Sequence, residues 1–216
     1  MRKLAVLLAA SVVAVSGANA AATISVSSTN YGLAAPAGAG ALVDFDTNYA
    51  GFTLAGSGYV VQSGSNGIGA APANGPTDAS DDATQYLSVY GGTATLRGSQ
   101  AYTAVSLYWG SIDQYNALDL LDAAGTAIAT VDYNSIMAGS NGDQLSANTN
   151  RRVNISSSQA FNGLAFRSTS AAFEADNVKF SGAVPEPTTW AMMVGGFGMI
   201  GGAMRANRRK SAVVFA

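Results

Sequence analysis

Three groups of carboxylates are spaced for chemistry. Asp78, Asp81 and Asp82 put three acids into five residues of a stretch rich in Gly, Pro and Asn. Such a set offers hard oxygen donors to Ca²⁺, although the spacing is not that of an EF-hand loop. Asp44-Phe45-Asp46 and Glu174-Ala175-Asp176 each place two acids on one face of an extended strand. Glycoside hydrolysis needs two carboxylates about 5–10 Å apart around a bound sugar. Alternating acids on a solvent-facing strand are the structural alternative, and without a cleft neither acid takes the role of proton donor. Leu107-Tyr108-Trp109-Gly110 ends an apolar strand. Trp109 is there either as core payload or as a stacking platform for a sugar ring.

What the chain lacks narrows the chemistry further. None of its 216 residues is His or Cys, which removes Ser-His-Asp and Cys-His nucleophile activation, disulfides, iron–sulfur clusters and thiolate zinc sites. Gly196-x-Gly198-x-x-Gly201 matches the dinucleotide fingerprint in spacing alone. No strand precedes it and no acid follows about 20 residues on. The expectation is a chain with no catalytic residues and no obligate cofactor. Its candidate ligands are Ca²⁺ at Asp78, Asp81 and Asp82, and a glycan at Trp109.

The residues between the two ends must position any such site. Thr23–Ser27, Tyr86–Tyr90, Thr93–Leu96, Thr103–Tyr108 and part of Ala172–Phe180 alternate polar and apolar residues, the period of a half-buried strand. Gly91-Gly92 reads as a hairpin turn between two of these runs, and Asp122-Ala-Ala-Gly125 as a four-residue turn between 117–121 and 126–133. No stretch carries a long helical period with caps. About ten short strands predict an all-β, antiparallel, jelly-roll-like β-sandwich. Residues 62–82 and 138–150 read as long surface loops, where ligand contacts often sit. Arg151-Arg152 reads as a solvated strand end.

Charge separates this middle from its ends. Residues 21–184 hold five basic against twelve acidic side chains, a net charge of −7, while the whole chain carries −2. Phosphate neutralisation needs clustered Lys and Arg, so nucleic acid is excluded as a partner.

Residues 1–20 run from Arg2 and Lys3 through an apolar stretch to Ala18-Asn19-Ala20. That is the order of a secretory signal peptide, with cleavage after Ala20. Sec translocon and signal peptidase follow as partners. At the other end Pro185-Glu186-Pro187-Thr188-Thr189-Trp190-Ala191 precedes an uncharged run from Met192 to Met204. Arg205, Arg208, Arg209 and Lys210 then form a basic cluster. A helix from Trp190 to Met204 is about 22 Å long at 1.5 Å per residue, short of a ~30 Å hydrocarbon core. Its flanks favour a membrane nonetheless: the prolines set an extended approach, Trp190 suits the headgroup level, and the cluster stays cytoplasmic by the positive-inside rule.

This C-terminal stretch resembles the PEPxxWA variant of the PEP-CTERM sorting signal. The resemblance implies an integral-membrane exosortase that recognises Pro185, Glu186, Pro187, Trp190 and Ala191 and cleaves near them. It also implies a transient inner-membrane anchor, and then the cell surface or the exterior of a bacterium. Ser211–Ala216 extends past the basic cluster, where the family often ends. The segments Asp82–Val89, Leu107–Asn116 and Phe173–Val178 resemble exosortase-dependent surface proteins that pair a β domain with this signal. The organisation expected is a signal peptide at 1–20, an extracytoplasmic β domain at 21–183, the sorting signal at 184–210 and a short cytoplasmic tail at 211–216. The expected role is that of a non-catalytic surface or matrix protein with exopolysaccharide as a partner. The alternative is a secreted carbohydrate- or Ca²⁺-binding β-sandwich module, and the third reading is a glycan-active enzyme.

Overall fold

The computed structural model describes residues 22–47, 49–76, 84–183 and 187–210, with side chains in the last helix from Met192 to Arg205. The expected signal peptide, Asp78, Asp81 and Asp82, Pro185 and Glu186, and the tail at 211–216 lie outside the described residues. So do the side chains of Trp190, Ala191, Arg208, Arg209 and Lys210.

Eight strands account for most of the fold: β1 Ile24–Asn30, β2 Ala41–Val43, β3 Thr53–Gln62, β4 Tyr86–Gly110, β5 Asn116–Leu121, β6 Ala127–Asp132, β7 Arg151–Ser168 and β8 Phe173–Ser181. A four-residue helix, α1, covers Tyr133–Ile136, and α2 covers Pro187–Lys210. Every strand pairing is antiparallel, as expected of an all-β chain.

β4 and β7 are long enough to serve twice. The second half of β4 and the first half of β7 lie in the order β2-β8-β4-β7-β1. Their other halves lie in the order β3-β4-β7-β5-β6. Register shifts between Arg97 and Ala104 mark where β4 passes from one layer to the other. One core cluster draws on both layers, from Val43, Val105 and Phe180 to Leu96, Leu118 and Phe166. Aromatic contacts stitch it: Trp109 stacks on Phe173 at 4.0 Å, Phe166 meets Phe173 edge-on at 5.5 Å, and Phe52 stacks on Phe180 at 4.2 Å.

One local reading holds and two need correction. The turn at Asp122–Gly125 forms as expected, with Gly125 N–H donating to Asp122 O at 3.0 Å and Thr126 N–H to Asp122 Oδ1 at 2.8 Å. Gly91-Gly92 is no hairpin, because β4 runs straight through it. The pair instead faces a register shift at Ser57/Tyr59 of β3, where a Cβ on Gly92 would collide with the Ser57 carbonyl. Glycine permits close backbone approach inside a strand as well as a turn, and here the approach is what it serves.

Arg151 and Arg152 are not a solvated strand end; both are buried. Arg152 donates to the carbonyls of Gly32 (2.9 Å), Asn177 (2.9 Å) and Leu33, and lies 5.8 Å from the Tyr108 ring centroid. Desolvation lowers its pKa to about 10, against the opposing pull of Asp176 and Tyr108. Arg152 thus pins the segment after β1 across the outer face of β7 and β8.

α2 stands apart in character. Met192, Phe197 and Met199 are between 69% and 79% exposed, so its apolar side chains are not part of the β core. Five glycines and Arg205 dilute its apolar content, and among the described residues no helix is long and apolar enough to cross a membrane.

Phe173 touches both Trp109 and Phe166 at the junction of the layers. Phe173→Ala is expected to cost about 3–5 kcal/mol, measured as a loss of unfolding free energy in urea. A loss below 1 kcal/mol would mean the junction does not depend on this ring.

Candidate functional site

Four connecting segments converge at one end of the β domain. The β3–β4 connection brings Asn66, Gly69 and Ala70; β4–β5 brings Ser111, Asp113 and Tyr115; α1–β7 brings Asn141, Gly142 and Gln144; and β7–β8 brings Ala171 and Ala172. Between them lies a pocket of about 280 Å³ whose floor is Glu174 of β8. Both long connections expected at the surface, 62–82 and 138–150, contribute to it.

Local hydrogen bonds hold these segments. Asn116 Oδ1 accepts from Asp113 N–H at 2.8 Å, closing the β4–β5 turn. Asn150 Oδ1 accepts from Ser111 N–H at 3.1 Å while its amide donates to Asp143 O and Ser146 O, both at 3.0 Å. Asp143 Oδ1 in turn accepts from Leu145 and Ser146 N–H. Gly142 N–H donates to Ile112 O at 3.0 Å, and a Cβ on Gly142 would collide with the Asp113 carboxylate. Glycine is therefore required where this connection passes Asp113.

Glu174 is 2% exposed. Its Oε1 accepts from Ala70 N–H at 3.0 Å and its Oε2 from the Ser111 hydroxyl at 2.5 Å. Those bonds favour the ionised form, but burial outweighs them and raises the pKa from 4.5 to about 7, with Asp113 adding repulsion. Asp113 is also raised by desolvation, partly offset by the Tyr115 hydroxyl donating to its Oδ2 at 2.5 Å. The same hydroxyl lies 2.7 Å from Ala171 O. Burial and the Asp113 charge push the Tyr115 pKa up, which keeps it a neutral donor.

Among the described residues no Lys or Arg lines this pocket. Tyr115 also borders a second hollow of about 480 Å³ beside Gly92, Thr93 and Arg167. There Arg167 grips Asp119 in a two-pronged ion pair at 2.6 and 2.8 Å.

The sites expected from sequence fall differently. Asp44 follows β2 and accepts from Asp46 and Thr47 N–H in a local turn, while Asp46 accepts from Gln85 N–H. These two acids organise loops. Glu174 and Asp176 do share a strand face, but both are buried, so they are not alternating surface acids. Trp109 is 0% exposed and stacked on Phe173. No face of its ring is open to a sugar, which corrects its place as a ligand candidate. The Gly196–Gly201 fingerprint lies inside α2 with no preceding strand turn.

Proton transfer is within reach of Glu174, whose pKa of about 7 is near neutrality. The N–H groups of Ala70 and Gly142 are taken by Glu174 and Ile112 O, so neither serves Ser111 as an oxyanion donor. Among the described residues no group of three or more Asp, Glu, His or Cys could hold a metal ion. The arrangement is suited to accepting hydrogen bonds from a bound molecule.

Residues 183–210 match a family model described as the PEP-CTERM protein-sorting motif. No curated protein matches the chain. Among solved structures, a family 6 carbohydrate-binding module is 17% identical, with 65% of this chain and 92% of that chain covered and a TM-score of 0.33. The enzymatically active domain of bacteriophage CBA120 tailspike protein 4 is 15% identical, with 63% and 20% covered and a TM-score of 0.27. Both likenesses are distant.

The Glu174 pKa makes stability depend on pH. Because about 7 lies above the ordinary 4.5, the folded chain holds this proton to higher pH than the unfolded chain. The contribution is fully present below about pH 4.5 and is lost as pH rises through about 7. Glu174 alone is expected to lower stability by about 3 kcal/mol across that window, with Asp113 adding in the same direction. Denaturant unfolding at a series of pH values should show the slope, and Glu174→Gln should flatten most of it. A variant slope equal to that of the parent would assign the titration elsewhere.

Proposed function

We propose that this chain, which carries a PEP-CTERM protein-sorting motif at residues 183–210, is an exported, non-catalytic protein that an exosortase sorts to the cell surface or the exopolysaccharide matrix. The observation that carries the reading is where the motif begins. β8 ends at Ser181, and the match starts at Ala183. β8 lies between β2 and β4, with Ser181 paired to Ala104 and Gly182 O accepting from Thr103 N–H at 3.2 Å. A cut near Pro185–Pro187 therefore falls just beyond the last strand and leaves all eight strands intact.

Each part of the chain has a role in this scheme. Residues 1–20 direct translocation and are removed after Ala20. The β domain at 21–183, a jelly-roll-like sandwich, is the cargo. Pro185, Glu186, Pro187, Trp190 and Ala191 are the recognition motif, and α2 is a transient inner-membrane segment. Arg205 is exposed, and with Arg208, Arg209 and Lys210 it keeps the C-terminus, including 211–216, cytoplasmic. Exposed apolar groups along α2 support the membrane role, since contiguous exposed apolar surface marks a contact with membrane or protein. A second reading, a secreted binding module, is favoured by the polar pocket over Glu174.

Intact mass of the protein from the medium and from membranes tests the scheme. The released species is expected to begin at Ala21 and to lack residues 190–216. Glu186→Ala should shift the protein to the membrane fraction with its C-terminus retained. A soluble external species that still carries residues 190–216 would overturn sorting by cleavage.

A further inference from the structure

We infer that the pocket over Glu174 binds a neutral, hydroxyl-rich ligand of the saccharide class, with Asp113 accepting from its hydroxyls and Tyr115 as the wall between two adjoining subsites. The inference rests on the binding-module reading above and gives that reading a site and a ligand class.

Charge narrows the ligand first. Among the described residues two acids and no basic side chain line the pocket, so phosphate, sulfate and uronate groups would meet repulsion there with no basic partner from those residues. What remains is a cation or a donor of hydrogen bonds.

Coordination then argues against a cation. Ca²⁺ takes six to eight oxygens, whereas here most carboxylate oxygens are already engaged. Glu174 Oε1 and Oε2 hold Ala70 N–H and the Ser111 hydroxyl, and Asp113 Oδ2 holds the Tyr115 hydroxyl. Asp113 Oδ1 is the one of these four carboxylate oxygens with no hydrogen bond to the described residues. Size points the same way. At roughly 30 Å³ per water in liquid, a pocket of about 280 Å³ holds far more than one ion and is of the order of a single sugar ring with its hydroxyls.

The remaining groups match hydroxyls. A sugar hydroxyl both donates and accepts, and the pocket offers both functions. Asp113 Oδ1 accepts. The amides of Asn141 and Gln144, exposed at the rim and making no side-chain hydrogen bond to the described residues, donate and accept. Tyr115 is half-buried, its hydroxyl is fixed by Asp113 and Ala171 O, and it lines both hollows. The second hollow past Tyr115 gives room for a neighbouring sugar unit. The loops are held by the Asn116, Asn150 and Gly142 contacts before any ligand arrives, and a preformed site avoids the ordering cost that weakens binding.

The test is binding of the purified full chain, in detergent, to an array of neutral and uronate-bearing oligosaccharides, followed by calorimetry with the best-bound neutral trisaccharide and with Ca²⁺ alone. Saturable binding of a neutral oligosaccharide is expected, with trisaccharide tighter than monosaccharide. Asp113→Asn should weaken it at least tenfold without lowering thermal melting, and Asn141→Ala, which lies at the exposed rim, by a few fold with melting unchanged. A flat array would overturn both the site and the binding-module reading. Binding that survives Asp113→Asn and Asn141→Ala would overturn the site alone. Ca²⁺ heat in the parent that Asp113→Asn abolishes, without oligosaccharide binding, would make this a cation site and overturn the saccharide assignment.

Discussion

One buried carboxylate holds the working end of the domain together. Glu174 sits on β8 directly opposite Gly110 of β4, and its two oxygens take the Ala70 N–H and the Ser111 hydroxyl. Those two bonds tie the β3–β4 connection and the start of the β4–β5 connection to the same strand. Hydrogen bonds to a charged group are worth about 1.5–3 kcal/mol each, yet the pKa still rises to about 7. Desolvation therefore wins. The ionised carboxylate is held at a cost, and the neighbouring Trp109–Phe173 stack beneath it is part of the rigid base that sustains that cost.

Glu174 is one member of a larger pattern. Parts of β4, β7 and β8 are roofed by chain instead of water on the face away from the core. Tyr108 donates to Ala73 O, Ser88 to Ile68 O, and Arg152 to the carbonyls of Gly32 and Leu33. Each of these three side chains satisfies a backbone group of a connection that has few large apolar residues of its own. Loops secured in this way lie on the surface and yet keep a shape, the condition for a binding site on connections carried by a rigid sheet.

That roofing also explains what could and could not be read from the residues alone. β1, the Asp122–Gly125 turn and the strands around Thr103–Tyr108 and Phe173–Phe180 follow local period and turn chemistry, and they form where expected. Arg151-Arg152, Glu174 and Asp176 defeat the same logic, because a polar residue on an outward face is taken for solvated when nothing local says that a distant loop covers it. Ser111 and Glu174 are 63 positions apart. Only the register of β4 against β8 brings them together, and register is a property of long-range pairing. Asp113-x-Tyr115 beside a strand end was the local trace of the site, a two-residue spacing too common to single out. Gly91-Gly92 shows the converse, where the right residues for a turn serve a close strand contact instead.

The C-terminal signal was legible for the opposite reason. A signal read by another protein as a linear order of residues must keep that order outside the folded core, so its information is local by construction. β8 completes its pairings by Ser181, and no described side chain of α2, from Met192 to Arg205, belongs to the core cluster. The two halves of the chain therefore follow different physics. The cargo is specified by burial and register among residues far apart in sequence, and it is stable only as a whole. The sorting segment is specified by proline, aromatic and basic residues in succession, and it is separable by a cut in the few residues between them. In the scheme proposed above, joining this antiparallel domain to a detachable apolar segment lets the domain fold while still tethered, and a cut beyond Ser181 leaves its strand pairings in place.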